Sequence, residues 1–305
     1  MQATHPLHGL VAATHTPFNP DFTLRLSAIE LQAAHLLKTG VKTVFVCGTT
    51  GESSSLTVKE RRAVATRWSE VVGGTPLRLV VHVGSNCLGD SQALAAHAEE
   101  IGADAIAAFA PSYFKPRSVD TLVSWCAEIA AAAPEVPFYY YDIPSMTGVS
   151  LPTREFVEKG AERIPTLAGL KFTNPDLMTY LQCLQADAGR WDIPWGLDEW
   201  LLAALATGAR GAVGSSFNFA APIYTRLIAA FDRGELAKAR TEQYRSTQLI
   251  SLLGRYGYMA AAKATMGMLG VEVGPPRLPN AALSAEQISK LRAELESLGF
   301  FDWLK

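Results

Sequence analysis

The chain has 305 residues, of which 49% are hydrophobic and 18% are charged, with 27 Lys and Arg against 29 Asp and Glu. This length suits one large α/β domain with an appendage or two ordinary domains, and the apolar content argues against a disordered chain. The formal net charge of −2 gives no electrostatic reason to expect nucleic acid or an anionic membrane as a partner.

No run of about 18 apolar residues is present, so the sequence predicts no membrane-spanning helix. Residues 1–5 do not begin a basic segment followed by an apolar core, so we predict no signal peptide and expect a cytosolic protein. The four cysteines and six histidines lack disulfide or zinc-ligand spacing, so no metal site is predicted. His15 and His82 lie in apolar stretches and could line a pocket, although a structural role is expected for both.

Short β-like runs alternate with longer helical patterns up to about residue 232. Parallel strands need crossover connections, so this alternation predicts a parallel sheet. Eight repeats match a (β/α)₈ TIM barrel; a doubly wound sheet competes, but no GxGxxG follows the first strand. The predicted strands are Gly9–Thr14, Thr43–Gly48, Leu77–Val83, Ala105–Ala110, Pro137–Ile143, Leu167–Phe172, Ile193–Leu197 and Gly211–Ser215. Helices between them include Leu26–Leu37, Val58–Val72, Ser91–Ile101, Val119–Ala132, Arg154–Lys159 and Leu177–Ala186.

The remainder of the chain has no good strand pattern. We predict a barrel over residues 1–233 and a three-helix extension over residues 234–305, packed on the barrel without a linker. Its predicted helices are Leu236–Leu253, Tyr256–Met268 and Ser284–Leu298, the last with an N-terminal capping signal.

Reactive groups of such a barrel lie at the carboxyl ends of its strands. The second predicted strand ends in Gly48–Glu52, where the Thr49 and Thr50 hydroxyls and the glycine N–H groups could cradle a carboxylate. The alternative is a simple glycine turn with a threonine N-cap.

Lys171 lies near the end of the apolar strand Leu167–Phe172. A lysine is almost never fully buried without a reason, and burial disfavours an ammonium ion. A desolvated neutral amine can attack a carbonyl carbon and form a Schiff base. The position therefore favours a catalytic role over a structural one.

Three further strand ends carry polar groups. Strand alternation places Tyr141 at the barrel mouth, although a triple-tyrosine run is more often core packing. Asp198 and Glu199 could accept hydrogen bonds from a polyhydroxylated substrate or could be solvated loop acids. Ser215 adds a hydroxyl to the same rim.

Five motifs occur in order at these strand ends: GTTGE at 48–52, YxIP at 141–144, GLKFT at 169–173, GxDE at 196–199 and GSSFN at 214–218. In combination they resemble the dihydrodipicolinate synthase/N-acetylneuraminate lyase family of pyruvate-dependent class I aldolases, over almost the whole chain. The resemblance implies a (β/α)₈ barrel with a C-terminal helical segment, a small-molecule substrate, a homotetramer, and no metal or organic cofactor.

By this resemblance Lys171 is the Schiff-base lysine, Tyr141 relays protons, and Thr49 and Thr50 hold the pyruvate carboxylate. Met146 occupies the place where the synthases have an arginine for a second carboxylate. The resemblance therefore favours the sialic acid branch, which cleaves N-acetylneuraminate to pyruvate and N-acetylmannosamine. In that branch the sugar hydroxyls would be contacted by Thr173, Gly196, Asp198, Glu199 and Ser215.

Other features leave a synthase-like enzyme or another 2-keto sugar acid aldolase open. The loop Glu52–Leu56 and Tyr113 resemble the synthases, in which such a tyrosine belongs to the proton relay, and Phe217 replaces a tyrosine common in the lyases. A non-catalytic pyruvate or sugar-acid binding protein is a further alternative. Binding alone, however, would not require the Lys171 amine to lie beside the Tyr141 phenol.

Overall fold

The structure, a computed structural model, describes residues 6–305. Seven parallel strands form one sheet: β1 (Gly9–Ala13), β2 (Thr43–Val46), β3 (Arg78–His82), β4 (Ala105–Phe109), β5 (Phe138–Asp142), β6 (Leu167–Phe172) and β7 (Gly211–Gly214). Their order is β6-β5-β4-β3-β2-β1-β7. The two ends of this order, β6 and β7, are joined through bridges that Trp195 makes to both strands, so the sheet curls into a nearly closed, TIM-barrel-like fold and not a doubly wound sheet.

Helices connect successive strands and cover the outside of the barrel. They are α1 (Ala28–Lys38), α2 (Val58–Val72), α3 (Leu88–Glu100), α4 (Val119–Ala131), α5 (Pro144–Thr147), α6 (Thr153–Arg163), α7 (Leu177–Gln185), α8 (Leu201–Thr207) and α9 (Phe217–Asp232). Short 3₁₀ turns occupy Ser53–Ser55, Ala186–Gly189 and Asp198–Trp200.

The predicted strand Ile193–Leu197 is wrong as a regular strand. Trp195 instead makes isolated bridges to Phe172 of β6 and Ala212 of β7, and Asp192 makes one to Gly169. Pro194 has no N–H to donate, so a continuous ladder cannot form through this segment. The barrel is closed by this irregular segment.

Alternation along the strands separates two apolar cores. The larger core lies between the strands and the surrounding helices, whereas the smaller one fills the barrel with residues such as Val11, Phe45 and Val80. Tyr139 and Tyr141 belong to the interior cluster. Tyr140 faces outward, with its ring centroid 4.3 Å from that of Phe156.

The C-terminal extension is helical, as predicted. It contains α10 (Leu236–Arg255), α11 (Tyr258–Met268), α12 (Ala285–Leu298) and a four-residue α13 (Phe300–Trp303) that the sequence pattern did not indicate. The capping signal before α12 is confirmed, because the Ser284 hydroxyl accepts from the Gln287 N–H and the Gln287 side chain accepts from the Ser284 N–H.

Between Pro6 and Lys305, no helix is both long and apolar enough to cross a membrane. In the same part of the chain, no cluster of three or more His, Cys, Asp or Glu side chains could hold a metal ion. The prediction about a signal peptide concerns residues 1–5, which lie outside the described residues.

Candidate active site at the carboxyl end of the barrel

Lys171 lies inside the barrel mouth, with 4% of its surface exposed. Its Nζ lies 4.0 Å from the ring centroid of Tyr141 and 4.3 Å from that of Phe45. Among the described residues, no carboxylate forms an ion pair with this amine. A bond from Nζ to carbon would therefore cost the protein no salt bridge, and the two rings exclude water from the amine.

The Tyr141 hydroxyl is hydrogen-bonded to the Thr49 hydroxyl at 3.2 Å. Register explains why Tyr141 and Lys171 meet, because they are directly paired between β5 and β6. Thr49 and the buried Thr50 lie on the loop after β2, so the predicted carboxylate cradle lies beside the predicted proton relay. The structure thus brings together the phenol, the amine and the Thr49 hydroxyl, with Thr50 next in the same loop.

The loop carrying the two threonines has a tightly constrained backbone. Cys47 and Glu52 adopt left-handed conformations, with φ of 56° and 55°, which non-glycine residues rarely do. A Cβ at Gly48 would come within 2.7 Å of the Phe45 ring. The loop is therefore packed directly on the aromatic ring that lies below Lys171.

The predicted sugar-binding residues gather on the other side of the mouth. Thr173 is buried, and its hydroxyl has no hydrogen-bond partner among the described residues. A Cβ at Gly196 would overlap this hydroxyl, so only glycine allows the close approach. An unpaired buried hydroxyl is costly, which makes Thr173 Oγ1 a natural contact for a ligand.

Asp198 is buried, and its Oδ2 accepts from the Ser216 N–H at 2.9 Å and from the Ser216 hydroxyl at 2.5 Å. Burial raises the pKa of the Asp198 carboxyl to about 6, although the bonds from Ser216 oppose this rise. The Oδ2 oxygen of Asp198 is thus already hydrogen-bonded within the protein. Glu199 is half-buried beside it on the same turn.

Ser215 is hydrogen-bonded to the Tyr258 hydroxyl at 2.7 Å. Tyr258 is the first residue of α11, so the helical extension contributes to the rim of the mouth. Burial raises the pKa of the Tyr258 phenol, which therefore stays protonated. Tyr258 is not predictable as a site residue from the sequence, because it lies far from the strand ends along the chain.

His82 was expected to be structural, and it lies under the mouth. Its ring centroid is 5.8 Å from that of Tyr141, in an edge-to-face arrangement. Nδ1 is 2.9 Å from the Cys47 carbonyl oxygen and donates to it, while burial and the Arg61 guanidinium hold the pKa of His82 well below its ordinary value. The neutral His82 ring thus holds the Cys47 carbonyl, just before the loop that carries Thr49 and Thr50.

Tyr113 does not join these residues within the chain. It is 79% exposed and packs edge-to-face on Phe114, which is 85% exposed. Met146, at the position of the synthase arginine, is 63% exposed. Phe217 is fully buried, with its ring centroid 4.6 Å from that of Tyr224, so it belongs to the larger core between the strands and the helices.

The chain is similar to known proteins over nearly its whole length. Residues 6–298 match the model of the dihydrodipicolinate synthetase family. The N-acetylneuraminate lyase of Mus musculus is 43% identical over 96% of this chain and 93% of its own length. Solved N-acetylneuraminate lyases from Aliivibrio salmonicida and Proteus mirabilis superpose with TM-scores of 0.95 and 0.94 at 41% and 40% identity. Each covers 97% of this chain, and the chain covers 98% and 100% of theirs.

Proposed function

Because the chain belongs to the dihydrodipicolinate synthetase family, we propose that it is a class I aldolase that cleaves N-acetylneuraminate reversibly to pyruvate and N-acetylmannosamine. The observation that carries this proposal is the buried Lys171 amine, enclosed by Phe45 and by a tyrosine whose hydroxyl is bonded to Thr49. The names of the relatives, at 40% identity or more over nearly the whole chain, support the choice of substrate.

The reaction starts when Lys171 Nζ attacks the ketone carbon of the open-chain sugar acid and loss of water leaves a protonated imine. The imine accepts the electron pair of the breaking C3–C4 bond, which leaves an enamine. The C4 hydroxyl loses its proton in the same step and becomes the aldehyde of N-acetylmannosamine. Tyr141, together with the substrate carboxylate, relays this proton. Protonation of the enamine at C3 and hydrolysis of the imine then release pyruvate and free Lys171.

Thr49 and Thr50 hold the substrate carboxylate and so orient the imine, which is a positioning contribution. Thr173, Glu199, Ser215 and the free oxygen of Asp198 contact hydroxyls of the sugar portion, next to the backbone of Gly196. A substrate without those hydroxyls leaves buried polar groups unpaired and is rejected for that reason.

Met146 supports the sialic acid branch over the synthase branch, because an exposed thioether provides no cation for a second carboxylate. The retained pairing of Lys171 with Tyr141 supports an enzyme over a non-catalytic binding protein. Fold alone would not distinguish these functions.

A cytosolic homotetramer is also part of the proposal. The exposed aromatic pair Tyr113 and Phe114 fits a surface that a second copy covers. A relay role for Tyr113 would require this tyrosine to reach the mouth of a neighbouring copy. Light scattering coupled to gel filtration tests the oligomeric state, and a monomer would contradict this part.

The test of the chemistry is trapping with pyruvate and borohydride, followed by peptide mapping. The label should add irreversibly at Lys171 and disappear in Lys171→Ala, whereas the exposed-lysine control Lys238→Ala should keep both label and activity. A label on another residue would refute the mechanism. Pyruvate release from N-acetylneuraminate is then compared with condensation of pyruvate and aspartate semialdehyde, and activity only in the second assay would assign the protein to the synthase branch.

A further inference from the structure

The loop that carries Thr49 and Thr50 ends in a fully buried ion pair. Glu52 Oε1 lies 2.7 Å from Lys263 Nζ, and the two side chains are 0% and 1% exposed. Lys263 belongs to α11 of the C-terminal extension. The pair therefore joins the extension to the substrate-carboxylate loop.

Both partners are held by further contacts, most of them with the extension. Glu52 Oε2 accepts the backbone N–H of Arg277 at 2.8 Å. Lys263 Nζ also donates to the Pro275 carbonyl at 3.0 Å and lies 4.3 Å above the Phe18 ring. The Glu52 carboxylate is thus fixed almost entirely by atoms of the C-terminal extension.

Glu52 has a left-handed backbone, with φ 55° and ψ 36°. A non-glycine residue keeps this conformation only where its surroundings impose it. Its N–H donates to the Thr49 carbonyl at 3.0 Å, and the neighbouring Gly51 carbonyl accepts the Thr16 hydroxyl at 2.7 Å. The residue with the anchored side chain is therefore hydrogen-bonded directly to the backbone of Thr49.

A continuous series of contacts then reaches the reacting amine. Thr49 is hydrogen-bonded to Tyr141, and the Tyr141 ring packs on Lys171 Nζ. A buried ion pair is seldom more stabilising than apolar side chains of the same volume. The location of the pair at the end of a ligand-binding loop is better explained by a need to hold that loop in one conformation.

We propose that the Glu52–Lys263 pair is a positioning device, through which the C-terminal extension sets the loop that binds the substrate carboxylate. Neither residue touches the reacting atoms. The inference rests on the proposed function only in that pyruvate serves as the probe.

The charged and titratable groups around Lys263 are consistent with this role. His15, which follows β1, has its pKa lowered to about 3 by burial and by the Lys263 charge. The Arg277 guanidinium is paired with Glu60 instead of Glu52. Burial lowers the pKa of Lys263 to about 8, while Glu52 and Glu272 act in the opposite direction and Arg277 adds to the lowering.

The test compares Glu52→Gln, Lys263→Met and the double variant, with Glu242→Gln as the control. Glu242 pairs with Arg226 and Arg245, away from the loop. In each single variant we expect the pyruvate concentration for half-maximal borohydride trapping to rise by about tenfold or more. Trapping at saturating pyruvate should still be complete, and KM should change more than kcat.

The double variant distinguishes a positioning role of the ion pair from a contribution to stability alone. Removing both charges should restore much of the thermal stability lost in the single variants, because neither partner is left buried and unpaired. Pyruvate affinity should remain weak, because the loop has lost its anchor. Recovery of both thermal stability and pyruvate affinity in the double variant would overturn the inference. So would a pyruvate affinity within about twofold of wild type in the folded single variants.

Amide hydrogen exchange over residues 48–52 gives a readout that needs no ligand. Exchange should be faster in the double variant than in wild type or Glu242→Gln, and unchanged exchange would also overturn the inference. Failure of wild type to trap pyruvate would instead refute the proposed function while leaving this readout intact.

Discussion

The hydroxyl oxygens of Thr49 and Tyr141 lie 3.2 Å apart, so the loop proposed to bind the carboxylate and the phenol proposed to relay protons meet directly beside Lys171. Phe45 of β2 and Tyr141 of β5 thus pack on one amine, and the loop reaches it through Tyr141. This arrangement allows the roles of the individual groups to be separated by substitutions that change one atom or one charge.

Tyr141→Phe removes the phenol oxygen but keeps the ring that packs on Lys171. We expect kcat for sugar-acid cleavage to fall by about 10²–10⁴-fold, because the C4 proton loses its relay. Imine trapping with pyruvate should persist. Steady-state kinetics and mass spectrometry measure the two effects. Tyr140→Phe is the matched control, because Tyr140 faces the outer core and should leave kcat unchanged; equal losses in both variants would contradict the assigned role.

Thr49→Val and Thr173→Val should separate the two halves of the substrate. Loss of the Thr49 hydroxyl should raise the pyruvate concentration for half-maximal trapping by about tenfold, because a charge-assisted hydrogen bond to the carboxylate is lost. Thr173→Val should leave pyruvate trapping unchanged and raise KM for N-acetylneuraminate. Each variant serves as the control for the other, and identical profiles would show that the two threonines do not contact different parts of the ligand.

Gly196→Ala places a methyl group against the Thr173 hydroxyl. We expect a loss of about 1–3 kcal/mol in the free energy of unfolding from overpacking, together with a raised KM for the sugar acid. Urea denaturation and kinetics measure these changes. Gly89→Ala is the control, because a Cβ there has no neighbour within 4 Å and its helical position favours alanine. A Gly196→Ala variant with wild-type stability and KM would show that the site tolerates the methyl group.

Sugar-acid affinity should depend on pH through Asp198. Burial raises the pKa of this carboxyl to about 6, so it is ionised above that pH and neutral below it. A neutral carboxyl accepts hydrogen bonds poorly, so KM should rise by about tenfold as pH falls from 7 to 5. Asp198→Asn should show a higher KM that no longer depends on pH in this range.

Asp142 provides the control for this pH dependence. Burial raises its pKa to about 6 as well, and its carboxylate accepts from Thr153 and Asn174, but it is not among the groups proposed to contact the sugar. Asp142→Asn should therefore keep the wild-type pH profile of KM. If Asp142→Asn removes the dependence and Asp198→Asn does not, the assignment to Asp198 is wrong.

Several elements of the fold could be predicted because their signals are local. The helix α2 and the strand β6 follow from the spacing of apolar side chains, and the N-terminus of α12 follows from Ser284 and Gln287. The predicted strand Ile193–Leu197 failed for a reason also present in the sequence. Pro194 has no N–H to donate to a strand ladder, although the apolar residues around it are typical of a strand.

The candidate site was partly predictable because parallel strands end at the same face of a barrel. Lys171, Tyr141, Thr49 and Thr50 could be placed together from their positions at strand ends. Tyr258 and Lys263 could not, because they belong to the helical extension and no periodicity links a helix to the particular strand end on which it packs.

By itself the sequence determined the alternation of strands and helices, the family motifs and the identity of the groups available for chemistry. These depend on residues near one another along the chain. Only the tertiary structure decided which groups are buried and paired: the amine between two rings, the Glu52–Lys263 pair and the unpartnered Thr173 hydroxyl. Burial and pairing arise when distant segments exclude water together, and that property belongs to the packed chain as a whole.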